Sequence, residues 1–164
     1  VWYSEVKEQP TKLVYTSTNR PKNVDRGSMN FYTEEDVVTS NNADYYRNVW
    51  DKGHLAPAAT YSDSMENLKQ TFSFLNCALQ DQYLNRGEWR LLEEQERVWD
   101  DTENLTITVT LEWNEGFQIL PTNGHVPTHM IKEIYFEGTQ SCKRYRFPNE
   151  KPTKGWEEYE VPCD

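Results

Sequence analysis

Three residues set out the chemistry this chain could do. His54 follows a glycine in Asp51-Lys52-Gly53-His54-Leu55-Ala56-Pro57-Ala58. Asn85 opens the string Asn85-Arg86-Gly87-Glu88-Trp89, and Glu93 stands eight residues beyond it. A neutral imidazole takes a proton from water near pH 7, and an amide oxygen holds a hard cation. Together these suit hydrolysis of a phosphodiester with one magnesium ion. Eight residues are just over two helical turns, so Asn85 and Glu93 fall on roughly one side of a helix. Plainer roles compete: Asn85 as a helix N-cap, and Glu93 as the i,i+4 partner of Arg97.

The elements that must position these groups can be read in outline. Residues 85 to 99 read as the best helix of the chain, with Asn85 at its cap and Trp89, Leu92 and the stem of Arg97 near one face. Residues 51 to 59 read as turn-rich, punctuated by Gly53 and Pro57, with Gly53 allowing a tight backbone. Residues 72 to 78 read as a buried strand. Residues 64 to 69 can form one or two helical turns capped by Ser64. Residues 12 to 16, 105 to 111, 117 to 120 and 131 to 136 have strand character; in residues 105 to 111 apolar positions alternate with threonine. Residues 148 to 164 read as an irregular tail packed by Trp156 and Tyr159. The expectation is one α+β domain over residues 1 to 164, with a mainly antiparallel sheet and one long helix. The Trp and Tyr residues are expected to pack the core and tail, not to stack nucleic-acid bases.

The strings, taken in order, resemble the DNA/RNA non-specific endonuclease family. Its signature is an Asp-Arg-Gly-His box followed by an Asn-x-Gly-x-Trp helix. Leu75-Asn76-Cys77-Ala78-Leu79-Gln80, Glu93-Glu94-Gln95-Glu96-Arg97 and Val126-Pro127-Thr128-His129-Met130-Ile131-Lys132 extend the likeness. It is good over residues 46 to 137 and loose before that. The resemblance implies a ββα-metal finger (His-Me finger) site that cleaves DNA and RNA without sugar preference, leaving 5′-phosphate and 3′-hydroxyl ends. In that reading His54 is the general base. Asn85 is the sole protein ligand of one Mg2+, with Mn2+ able to substitute. Glu93 holds metal-bound waters and Arg97 reaches the phosphate. Lys52 stands where the family usually has arginine, which keeps the charge and loses the planar fork. Arg20 and Arg26 both qualify as the family's upstream phosphate-binding arginine. Asn76 and Gln80 match polar positions lining the family's site, with turn or strand-end hydrogen bonding as the alternative. DNA and RNA are the implied partners, with a homodimer and a protein inhibitor as further ones.

Bulk properties limit the choices. The net charge is −10, unusual for a chain that grips phosphate. Acidic residues concentrate in 93 to 103 and 157 to 164. Basic ones gather at Lys12, Arg20, Lys22 and Arg26, at Arg47 and Lys52, and at Lys143, Arg144 and Arg146. A local positive groove is therefore expected, with salt-sensitive binding. Three cysteines allow one internal disulfide; Cys142 with Cys163 would tie down the tail, and Cys77 suits a buried thiol. His125 and His129 form no recognisable metal cluster with His54. No apolar run reaches the ~20 residues of a membrane span. The start at Val1 and the sequon Asn104-Leu105-Thr106 lean towards a processed or secreted protein. Two other readings stay open. A catalytically weakened nucleic-acid-binding module would predict a damaged histidine or asparagine position. An acidic interaction protein would predict no cleft.

Overall fold

The computed structural model describes residues 1–164. A six-stranded antiparallel sheet forms the frame. Its strands are β1 (Trp2–Ser4), β2 (Gln9–Ser17), β5 (Leu105–Glu112), β6 (His129–Phe136), β7 (Ser141–Pro148) and β8 (Glu160–Val161), adjacent in that order. A separate hairpin pairs β3 (Trp50–His54) with β4 (Cys77–Asp81). The helices are α1 (Met65–Gln70), α2 (Gln82–Arg86) and α3 (Glu88–Trp99).

Strand β5 shows why the sheet has an inside. Leu105, Ile107, Val109 and Leu111 are buried, while the threonines between them are partly exposed. Trp89 and Leu92 of α3 pack on that face, in one apolar cluster that also takes in Leu55 and Ala78 beside the hairpin. Trp89 meets Phe147 edge to face at 5.6 Å, and Trp99 meets Phe136 at 5.2 Å. The cluster therefore locks helix, hairpin and sheet together.

Several expectations shift. Of the stretch expected to be turn-rich, residues 51 to 54 belong to strand β3, and residues 55 to 59 are bends leading into a 3-10 turn. The buried strand expected at 72 to 78 begins only at Cys77, because residues 74 to 76 form a 3-10 turn. Residues 117 to 120 contribute a single bridge, Ile119 with His125, and no strand. The tail is more regular than expected. β8 pairs with β7, Cys142 bonds to Cys163, and the Trp156 N–H donates to Glu88 Oε2 at 2.8 Å. Cys77 is a buried free thiol. No helix is long and apolar enough to cross a membrane.

Candidate active site

The hairpin sets His54 at the end of β3, with Cys77 opposite. Gly53 is required by packing. A Cβ there would lie 2.3 Å from Gln80 Oε1 and 2.7 Å from Gln80 Cβ. The chain after His54 is clamped by Asn76. Its Oδ1 accepts the Ala56 N–H at 2.8 Å, and its Nδ2 donates to the Ala56 and Thr71 carbonyls at 2.9 and 2.8 Å. The His54 ring is wedged between Phe31 and Phe72, each with its centroid 4.7 Å away. Its Nε2 is sealed from solvent and has no partner. Burial, helped by the Arg26 charge, pushes the imidazole down to about 3, so it is neutral at pH 7.

Asn85 is not the cap of the long helix. Asp81 caps α2, its Oδ1 accepting the Tyr83 and Leu84 N–H groups at 2.9 and 3.0 Å. Asn85 lies within α2, and the expected single helix breaks at Gly87 before α3 begins. A Cβ at Gly87 would sit 2.6 Å from the Tyr83 carbonyl oxygen, which explains the glycine of the Asn-Arg-Gly string. Asn85 Nδ2 donates to Asp51 Oδ2 at 2.9 Å. The same carboxylate receives two bonds from Arg86, at 2.9 and 2.8 Å. Asp51 thus braces both residues and fixes the Asn85 amide with its oxygen free of protein bonds.

His54, Asn85, Glu93, Arg97, Lys52 and Arg26 all line one cleft of about 600 Å³. Arg86 and Arg90 line it too, but their charges are met by Asp51 and Glu94. Arg26, Lys52 and Arg97 remain unpaired, and one Arg97 nitrogen, Nη1, is buried without any partner. The cleft is therefore locally positive on a chain of net charge −10. Glu93 joins no salt bridge, so the competing i,i+4 pairing with Arg97 is absent; the i,i+4 pair of α3 is Arg90 with Glu94. Burial pushes the Glu93 carboxyl up to about 7.

Three expected site residues lie elsewhere. Asn76 is consumed by its clamp on the His54 loop. Gln80 is buried behind Gly53. Arg20 donates to the Thr60 and Thr16 carbonyls at 3.1 and 3.0 Å and lies over the Tyr61 ring. Of the two candidate arginines only Arg26 lines the cleft, standing 4.6 Å over Phe72 beside the histidine. The Lys143 to Arg146 cluster is also remote, with Arg144 bound to Asp164 and Arg146 to Glu112. Sequence reasoning missed Phe31, Arg86 and Arg90; only the periodicity of 86 and 90 against 93 and 97 could have flagged the arginines.

A family model described as DNA/RNA non-specific endonuclease matches residues 3–164. The chain belongs to that family. Mitochondrial endonuclease G of Bos taurus is 30% identical over 142 residues, 76% of this chain and 48% of its own length. Mitochondrial nuclease EXOG of Mus musculus is 33% identical over 107 residues, 57% of this chain and 28% of its own. The chain thus spans about half the length of the endonuclease G relative. A crystal structure of the EndoG/EndoGI complex superposes with a TM-score of 0.86 at 25% identity, over 98% of this chain and 76% of that one. The hairpin followed by helix is the ββα-metal arrangement of that fold.

Proposed function

We propose that this chain is a Mg2+-dependent, sugar-non-specific endonuclease acting on DNA and RNA. The observation that carries the reading is the pairing, in one cleft, of a neutral His54 with an Asn85 amide whose nitrogen is held by Asp51 and whose oxygen is left free. The donor set suits a hard cation. Asn85 Oδ1 and the Glu93 carboxylate are oxygens, and magnesium takes few protein oxygens beside its waters. When bound there, the ion would polarise the phosphate and stabilise charge on the leaving oxygen.

The remaining work falls to side chains of the chain. Asn85 would ligate the ion directly and Glu93 would orient its waters. Nε2 of His54 is sealed, so Nδ1 is the nitrogen that takes a proton from the attacking water. The phosphodiester's negative charge raises the proton affinity of the ring when substrate is in place, strengthening the base when it is needed. Arg97, Lys52 and Arg26 would hold the phosphate oxygens and the charge that develops in the transition state. The products would carry 5′-phosphate and 3′-hydroxyl ends. Contacts of this kind go to the backbone, so little base specificity follows. A protein inhibitor of this chain would act by covering the same cleft; the solved relative is itself an inhibitor complex.

Cleavage of supercoiled plasmid and of total RNA, in magnesium and in EDTA, tests this with His54→Ala. General acid–base catalysis contributes ~10²–10⁴-fold, and the variant should lose about that much. Degradation that persists unchanged in the variant would reject the mechanism.

A further inference from the structure

A row of side chains leads out of the cleft past the reacting groups. Tyr83 and Arg86 stand three residues apart in α2 and share one helical face, and Arg90 follows in α3 beyond the break at Gly87. Arg90 Nε donates to the Arg86 carbonyl at 3.0 Å, bridging the break at Gly87 and keeping the row continuous. Arg86 and Arg90 line the cleft; Tyr83 lies next in the row and outside it.

Tyr83 differs from the other tyrosines in this region. Tyr15 and Tyr45 are packed inside, and each has a hydrogen-bonded hydroxyl. Tyr83 is 55% exposed, its hydroxyl bonds to nothing, and it serves no core. Its backbone is nevertheless fixed, because Asp81 takes its N–H at 2.9 Å. The Lys151 ammonium sits 5.2 Å from the ring centroid. Lys151 has no carboxylate partner, whereas Arg86 and Arg90 do. A rigidly based, open aromatic ring with an unneutralised cation against it offers a face to a base and a charge to its phosphate.

We propose that Tyr83, with Lys151 beside it, is a stacking platform for an unpaired base flanking the scissile phosphate. The platform favours single strands, because a base can reach the ring only when it is out of the duplex. The local charge supports a nucleic-acid occupant: Lys151 has no carboxylate partner, and the cleft that Arg86 lines holds the unpaired Arg26, Lys52 and Arg97. This inference rests on the nuclease reading for its purpose, while its test does not.

The test is equilibrium binding, in EDTA, of a dye-labelled single-stranded oligonucleotide and of the same strand made entirely abasic. Wild type should bind the base-bearing strand roughly 5- to 100-fold more tightly than the abasic one. Tyr83→Ala should lose that difference, binding both strands about as weakly as wild type binds the abasic one. Tyr83→Phe should keep it. Equal weakening on both strands in Tyr83→Ala, or no weakening on either, would overturn the platform. Plasmid cleavage by wild type in magnesium reports separately. Its absence would remove the nuclease reading and leave the binding comparison decisive for Tyr83.

Discussion

The two sides of α3 carry the same kinds of charged group and treat them oppositely. On the inner side Glu96 is fully buried, and both its oxygens are used. It takes the Tyr15 hydroxyl at 2.5 Å and the Lys132 ammonium at 2.8 Å, and Lys132 also lies 4.3 Å over the Trp89 ring. On the outer side, Glu93 has no ion-pair partner, Arg97 has a buried nitrogen with no acceptor, and His54 opposite has a sealed nitrogen with none. Buried polar groups in folded proteins are nearly always satisfied, and the exceptions call for a cause. The inner set is spent on holding the helix to the sheet. The outer set lines the cleft, where Glu93 and Arg97 have no ion-pair partner in the protein.

The two sides should therefore fail in different ways when mutated. Lys132→Met should be the most damaging to the fold, because it strands the Glu96 carboxylate in the core. The expected loss is ~3–5 kcal/mol in urea unfolding, and pairing it with Glu96→Leu should recover most of that. An unchanged midpoint in the single variant would end the claim that the inner set is structural. Cys142→Ser should cost about 3 kcal/mol, since the bond closes a separation of 21 residues and ties the tail to β7. Thermal melts with and without reductant would read the same loss in wild type.

Arg97→Ala should leave the melting temperature near wild type and lower kcat/KM about ten- to hundredfold, the scale of a charged hydrogen bond of roughly 1.5–3 kcal/mol. A large stability loss there instead would move Arg97 to the structural side. The smallest effect concerns protons. Glu93 is held up to about 7 against an ordinary 4.5, so the folded chain keeps a proton that the unfolded one releases between those values. Its contribution to stability is complete below pH 4.5 and is lost as pH rises through 7. His54, held down to about 3 against 6.5, works the other way, contributing above pH 6.5 and losing that contribution as pH falls towards 3. In EDTA, Glu93→Gln should therefore melt above wild type at pH 8 and converge with it near pH 4. A constant offset across that range would show that Glu93 does not titrate as described.

What could be read from the sequence follows the range of the interactions involved. The alternation in β5, the capped turn at Ser64 and the presence of a helix bearing Trp89 and Leu92 are local patterns, and they are where the sequence puts them. The break at Gly87 was not legible, because it leaves the apolar spacing of Trp89 and Leu92 intact. Asn76 reads as a site residue because its type and position match one; only the fold shows that its amide is used up on Ala56 and Thr71. Nothing local marks Glu96 and Lys132 as buried, because each depends on a partner 36 residues away. Phe31 packs on His54 from a loop with no periodicity to betray it.

The Asp51 brace explains why position 85 carries an amide and not an acid. Aspartate has nearly the same shape and a full charge to offer a cation. It has no N–H, however, and its oxygens would face those of Asp51 with nothing between them. The asparagine can give to one neighbour and receive from another at the same time. In the metal role proposed for it, Asn85 would be a neutral ligand with a loose grip, and the ion would exchange readily between turnovers.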